Sequence, residues 1–364
     1  MAMFDDEENA MRRRTVMGGL ALLPLAGQAV SAVSAAKGAG APPAALRIAS
    51  TGFAENGKAE LGGIAYRVQQ EGWLARELKQ RGVRLEWLPV TGDTGATMNE
   101  AFASGRIDMA AYGDLPSVIL NAGGVRTQVI VPAGRGTDQF LLVPTGSRAT
   151  SLAELKGKRI SVHRGRPWEL GLRQLIADQR MSPTDFRLIN MDLKPGTAAL
   201  ATGAVDALFM INGYPLEDKG IGRIIWSSKG LPERKMRAEL WARRDFTQAH
   251  PDIAELVATA WLRAQHWAAL DGNREAIIKD GTRNGTPDSV VRRSYDDPGL
   301  QWKERWSPLY DDAVYRHYRR VLAFAQEQKL IRQPLTAEEL LEPRFVAAGL
   351  KKLGLANYWE PAKV

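Results

Sequence analysis

Short apolar runs alternate with amphipathic stretches along the first part of the chain. The runs predict strands over residues 46–50, 83–87, 109–111 and 129–133. Apolar positions at helical spacing predict helices between them, over residues 64–80, where Gly72 interrupts the pattern, and over residues 96–104. Strands that alternate with helices in this way predict a parallel α/β sheet.

The same alternation returns after a polar stretch at residues 135–138. It predicts strands over residues 139–143, 159–162, 186–189, 207–211 and 224–226, and helices over residues 151–155, 167–179 and 196–202. Residues 239–242 predict a strand that returns to the first sheet, and the chain from residue 251 onward is mostly helical. We therefore predict two α/β lobes, the first from residues 44–136 and 243–364, the second from residues 137–242.

The first 36 residues have the pattern of a cleavable export signal. Three arginines from Arg12 to Arg14 precede a short apolar run, which ends in small residues suited to cleavage after Ala35 or Ala36. The arginines before Thr15 resemble a twin-arginine signal, and a Sec signal is the alternative. Met1 and Met11 are both candidate start residues. We expect a periplasmic mature protein without a membrane-spanning helix.

The composition of the chain excludes several kinds of binding site and catalytic residue. The chain has no cysteine, which excludes disulfides, thiolate metal sites and a cysteine nucleophile. A net charge of +8 suits anionic partners, but no basic run with interleaved aromatic residues indicates nucleic acid. The four histidines lack metal-ligand spacing, so we predict no metal site. No Gly-x-Ser-x-Gly motif, Walker loop or dinucleotide-binding fingerprint is present, so we predict no catalytic residue and no cofactor.

One turn, Tyr112-Gly113-Asp114, joins a buried strand to a helix. Gly113 suits the positive φ of a tight turn, and Asp114 fits the N-cap position of the helix that follows. Free N–H groups at such a helix start bind anions. A second turn, Arg164-Gly165-Arg166, precedes a helix that begins at Pro167 and adds two guanidinium groups. Because strand ends line the crevice of a two-lobe α/β protein, we expect both turns to face one ligand.

Several segments, in order along the chain, resemble one family. They include residues 101–108, Tyr112-Gly-Asp-Leu-Pro116, residues 152–160, 203–207 and 242–251. The chain resembles the periplasmic substrate-binding proteins of ABC importers for aliphatic sulfonates, taurine and nitrate, and is most similar to the alkanesulfonate branch. The resemblance implies an α/β, bilobal periplasmic-binding-protein fold of type II with a two-strand hinge. It also implies a monomer that delivers a small anionic ligand to a membrane permease and its ATPase.

The resemblance also places the ligand-facing positions. They are Thr51, Gly52, Phe53, Tyr112, Gly113, Asp114, Leu115, Thr137, Asp138, Arg164, Gly165, Arg166, Trp168, Asn212 and Tyr214. The turn at residues 164–168 departs from the family by carrying arginine and tryptophan in place of small polar residues. We therefore expect an aliphatic or aryl sulfonate or a sulfate ester, with taurine, nitrate or bicarbonate as alternatives. An enzyme of the same fold is disfavoured by the absence of cysteine, and a transcription regulator by the export signal.

Overall fold

The computed structural model describes residues 41–55 and 57–362, so the predicted export signal lies outside the described residues. Strands form close to the predicted positions. They are β1 Ala45–Glu55, β2 Lys58–Leu61, β3 Arg84–Val90, β4 Met109–Gly113, β5 Thr127–Val131, β6 Gln139–Pro144, β7 Arg159–Val162, β8 Arg187–Asn190, β9 Ala207–Ile211, β10 Gly222–Ser227 and β11 Ala238–Arg243.

The first sheet has the order β3-β1-β4-β11-β5. β1 runs parallel to both β3 and β4, whereas β11 runs antiparallel to β4 and β5. β2 continues this sheet by pairing with the far end of β1 as an antiparallel hairpin. The strand predicted over residues 46–50 is therefore too short, because Thr51, Gly52 and Phe53 also belong to β1.

The second sheet has the order β10-β6-β9-β7-β8. β7 runs parallel to β8 and β9, and β6 runs antiparallel to β9 and β10. Each sheet thus combines parallel strands with an antiparallel strand, which is β11 in the first sheet and β6 in the second. In both cases the antiparallel strand follows a segment in which the chain crosses from the other sheet.

The two crossing segments, which follow β5 and β10, touch each other. Thr137 in the first and Met236 in the second form an antiparallel bridge, with N–H···O distances of 3.0 Å and 2.9 Å. β11 comes after the second crossing and lies in the first sheet. The lobe boundary after residue 242 stays a prediction, and the position of β11 leads us to propose residue 237 in its place.

Helices cover both faces of each sheet. They are α1 Gly63–Glu71, α2 Trp73–Gln80, α3 Thr94–Ala103, α4 Asp114–Ala122, α5 Pro167–Asp178, α6 Leu193–Ala201, α7 Tyr214–Asp218, α8 Arg244–Ala249, α9 Pro251–Ala269, α10 Arg274–Thr282, α11 Asp288–Tyr295, α12 Trp302–Arg305, α13 Asp312–Glu327, α14 Ala337–Leu340 and α15 Arg344–Lys352. The predicted helix at residues 151–155 is only a single 3₁₀ turn, Ala153–Leu155.

Alternation along β1 explains the layering of the first sheet. Leu46 and Ile48 pack on one face with α1, α2, α9 and α15, whereas Ala49 packs on the other with α3, α4 and α13. Gly72 ends α1 at a φ of 67° and starts α2, which confirms the predicted interruption. In the described part of the chain, no helix has the length and apolar content that crossing a membrane requires.

Candidate functional site

A cavity of about 540 Å³ lies beside the first crossing segment, at the carboxyl end of β1. Its walls come from residues 50–53 of β1, from residues 62–65 at the start of α1, from residues 133, 134 and 136–138 of the first crossing segment, and from residues 237–240. The remaining wall includes Trp261 and, from beyond α10, Asn284, Ser294, Tyr295, Arg305 and Trp306. Ligands of α/β proteins bind outside the carboxyl ends of parallel strands, and the volume is typical of a small-molecule site.

The start of α1 opens into this cavity. Its N-cap is Gly62, with an extended backbone at φ −117° and ψ 171°, and among the described residues no side-chain hydrogen bond caps its first turn. No acidic residue lies in that turn either. Residues 62–65 all line the cavity, so the first N–H groups of α1 and the positive end of its dipole face the space where a ligand fits.

Arg305 also lines this cavity. The side chain is buried, its Nη2 donates to the carbonyl oxygen of Tyr295 at 2.8 Å, and its Nε has no hydrogen-bond partner among the described residues. Burial lowers the pKa of this guanidinium, because a cation removed from water is destabilised. An anion in the cavity would remove that penalty.

The predicted turn at Tyr112-Gly113-Asp114 does not line this cavity, and it is not an empty anion site. Tyr112 is buried, its hydroxyl donates to Oδ1 of Asn99 at 2.9 Å, and burial raises its pKa. Gly113 has a φ of −64°, so the predicted positive φ is wrong, and it is Gly113, not Asp114, that occupies the N-cap position.

The first N–H groups of α4 are already occupied. The amide of Asp114 donates to the carbonyl oxygen of Arg237 at 3.2 Å, and the amide of Leu115 donates to Oδ1 of Asp114 at 2.6 Å. Oδ2 of the same carboxylate lies 2.5 Å from Nε2 of His317 in α13. In this structure a backbone carbonyl oxygen and the protein's own carboxylate occupy these two amides, and their role in ligand binding stays a prediction.

The second predicted turn is filled in the same way. Gly165 has a φ of 72°, and its amide donates to Oε2 of the buried Glu169 at 2.7 Å. Arg164 points to solvent, with its side chain 60% exposed and 3.8 Å from Oε1 of Glu169. A carboxylate therefore lies at the start of α5 as well.

Arg166 and Pro167 join the second sheet to the first. Arg166 is buried and forms an ion pair with Asp93, the N-cap of α3, close enough to Gly95 that a Cβ there would overlap Nη1 of Arg166. A Cβ on Gly113 would lie only 2.8 Å from Cγ of Pro167. Arg166 thus bridges the two sheets outside the cavity, and burial lowers its pKa.

Three other predicted positions also lie outside the cavity. Trp168 is buried in the core of the second sheet, with its ring 6.4 Å from that of His163. Asn212 has a φ of 56° at the end of β9. Tyr214 packs its ring 4.9 Å from that of Phe140, and the guanidinium of Arg293 covers it at 4.2 Å. None of the three lines the cavity.

Five predicted residues do meet there, namely Thr51, Gly52, Phe53, Thr137 and Asp138. Sequence reasoning missed the start of α1 and the residues beyond α10. The pair Gly62-Gly63 before an amphipathic helix with no acid in its first turn was an available signal for the former. Arg305 and Trp306 carried no such signal.

Comparison with known proteins agrees with this architecture. The sequence profile described as NMT1/THI5 like matches residues 64–273. A periplasmic sulfonate-binding protein of a sulfonate ABC transporter, SsuA from Methylobacillus flagellatus KT, is 41% identical, with a TM-score of 0.80 over 88% of this chain and 98% of that one. No curated protein sequence matches the chain.

Two more distant structures share the fold. The alkanesulfonate-binding protein SsuA from Xanthomonas axonopodis pv. citri, bound to MOPS, is 22% identical, with a TM-score of 0.64 over 84% of this chain and all of that one. The desulfurization enzyme DSZB is 16% identical, also with a TM-score of 0.64, over 85% of this chain and all of that one.

Two helix-covered α/β sheets joined by paired crossings define the class of periplasmic binding proteins, which confirms the predicted fold. Within that class the chain belongs to the NMT1/THI5-like family, on the branch of the solute-binding proteins of ABC importers.

Proposed function

We propose that this protein is the periplasmic solute-binding component of an ABC importer for a sulfonate-type organic anion, binding it without chemistry. The observation that carries the proposal is the meeting of the uncapped start of α1 and the buried Arg305 in one cavity. The identity of 41% to a sulfonate-binding protein supports the same ligand class. A monomer, exported through its predicted signal, would hand the ligand to a membrane permease and its ATPase.

The head group fits the chemistry of these two features. A sulfonate carries one negative charge and three oxygen acceptors, so it can accept from backbone N–H groups of α1 while another oxygen accepts from the guanidinium of Arg305. The partial positive charge of the helix end and the charge of the arginine both stabilise the anion. These interactions replace the hydrogen bonds to water that the anion loses on binding.

The alternatives are less well supported. Nitrate and bicarbonate lack an organic tail that would occupy a cavity of about 540 Å³. An enzyme resembling the cysteine-dependent members of this fold would lack its reactive residue, since the chain has no cysteine. A sulfate ester presents the same oxygens as a sulfonate and stays within the proposed class.

A thermal-shift screen of residues 37–364 tests the ligand class. The panel contains ethanesulfonate, cyclohexanesulfonate, benzenesulfonate, phenyl sulfate, taurine, nitrate and bicarbonate, and a bound ligand raises the melting temperature. We expect a shift with at least one sulfonate, and we call the one with the largest shift the reference sulfonate. A shift with nitrate or bicarbonate alone would contradict the proposal.

Replacement of Arg305 by alanine should weaken binding of the reference sulfonate about thirtyfold, as the loss of one charged hydrogen bond predicts. The ligand-free melting temperature should change little, because the variant also loses a buried cation whose Nε has no partner. Titration calorimetry measures the affinity. Arg274→Ala is the matched control, since Arg274 lies 4.8 Å above the Trp302 ring without lining the cavity. Equal affinity in both variants would remove Arg305 from the site.

A further inference from the structure

The cavity wall that comes from residues 284–306 is rich in aromatic surface. Tyr295 and Trp306 line the cavity, and their ring centroids lie 6.0 Å apart. Trp302 supports both rings from behind the lining, at 5.4 Å from Tyr295 and 5.7 Å from Trp306. Its own indole N–H is fixed by the carbonyl oxygen of Ala268 at 2.8 Å. The wall is therefore a packed cluster whose rings have defined positions.

Further aromatic side chains reach the cavity from other elements. Phe53 comes from the β1–β2 hairpin and Trp261 from α9, so four aromatic side chains line the space. Trp261 is held by Trp87, with a centroid distance of 5.8 Å. Aromatic walls favour planar aromatic ligands over saturated ones of equal size by about 0.5–1.5 kcal/mol per ring pair in proteins, because stacked and edge-to-face contacts add to area burial.

The acids of the cavity are not free to hold a ligand amine. Glu239 accepts from Nε of Arg237 at 2.5 Å, and its other oxygen accepts from the amide of Ala133. Asp138 forms an ion pair with Lys235 and accepts from Ser228 at 3.2 Å. These pairs balance the acids within the protein, so the net attraction of the cavity is for an anion without an amino group.

We propose, on the basis of the proposed function, that Tyr295 and Trp306, on the cavity wall from residues 284–306, form a specificity wall that selects sulfonates with an aromatic tail. The family profile ends at residue 273, so this wall lies outside the part of the chain that the profile matches. The sulfonate lies at the start of α1 and at Arg305, and the tail packs against Tyr295, Trp306 and Phe53. Aminosulfonates such as taurine bind less well because no carboxylate is available to their ammonium group.

Calorimetry with benzenesulfonate and cyclohexanesulfonate tests this proposal on residues 37–364. Both probes have the same head group and a six-membered ring, so the comparison isolates aromaticity. We expect benzenesulfonate to bind about fivefold more tightly, the middle of the range for one aromatic contact. The variant Tyr295→Leu should remove most of that preference and keep the affinity for cyclohexanesulfonate. Tyr358→Leu, at a tyrosine outside the cavity, should keep the preference.

Two outcomes would overturn the inference, and they separate it from the proposed function. Equal binding of the two ring sulfonates, or tighter binding of cyclohexanesulfonate, would refute the aromatic wall and leave sulfonate capture standing. Absence of binding by any sulfonate of the panel would refute both. The comparison of the two probes uses the unaltered protein, so it is decisive even if Tyr295→Leu does not fold.

Discussion

A Gly62→Asp variant is expected to lose at least about a hundredfold in affinity for the reference sulfonate, because a buried like charge at the anion site costs several kcal/mol. The new carboxylate would lie at the N-cap of α1, where it accepts from the free N–H groups of the first turn. The substitution fits locally, since Gly62 is extended and the nearest atom to an added Cβ is 3.8 Å away. Titration calorimetry measures the affinity.

The same variant should be more stable without ligand. An N-cap carboxylate in place of glycine, together with its interaction with the helix dipole, contributes roughly 0.5–1 kcal/mol. The melting temperature of the ligand-free protein should therefore rise while the ligand-induced shift disappears. Carboxylates already accept from backbone amides at the starts of α4 and α5, where Asp114 accepts from Leu115 and Glu169 accepts from Gly165.

Gly62→Ser separates capping from charge. Serine also caps the helix but carries no charge, so this control should gain stability and keep most of the affinity for the sulfonate. If Gly62→Asp bound the reference sulfonate as tightly as the unaltered protein, the start of α1 would not hold the head group.

The second large effect is expected from Gly113→Val, which should weaken sulfonate binding about a hundredfold, at the upper end of the cost of overpacking, because it would separate the two sheets whose crossing residues Thr137 and Asp138 line the cavity. A Cβ at Gly113 would lie 2.8 Å from Cγ of Pro167, and the branched γ carbons of valine would lie closer still. Proline is rigid, so relief requires the second sheet to move away from the first. The backbone of Gly113 accepts valine without strain at its φ of −64°.

The radius of gyration and the affinity together distinguish separation of the two sheets from general destabilisation of the protein. Small-angle scattering with saturating reference sulfonate should show a larger radius of gyration for Gly113→Val than for the unaltered protein. Gly146→Val is the matched control, since a Cβ at Gly146 meets no atom within 4 Å. Unchanged affinity and radius in Gly113→Val would show that binding does not need the contact between Gly113 and Pro167.

Most of the fold could be predicted because it depends on local pattern. The strand over residues 207–211 coincides with β9, and the interruption at Gly72 separates α1 from α2. These features follow from runs of apolar residues and from one glycine, both visible within a short window. The hairpin of β1 and β2 was missed, because exposed and half-buried residues do not alternate clearly there.

The candidate site was less predictable for a physical reason. A helix start is an anion site only if no side chain fills it, and that depends on partners distant in sequence. Asp114 is held by His317, 203 residues further along the chain. Arg305 and Trp306 reach the cavity of β1 from more distant positions still. No spacing rule connects them to Thr51 or Gly62.

The cavity takes the start of α1 from residues 62–65 near one end of the chain, and it takes Arg305, Tyr295 and Trp306 from near the other. Divergence at Tyr295 and Trp306 can therefore alter which organic group is accepted while the start of α1 and Arg305 still hold its charge. A chimaera that exchanges only residues 284–304 with a relative would inherit the relative's tail-facing residues in that range and retain its own anion site. A nascent chain that has not yet reached residue 306 holds half a binding site, so ligand cannot assist its folding until synthesis is nearly complete.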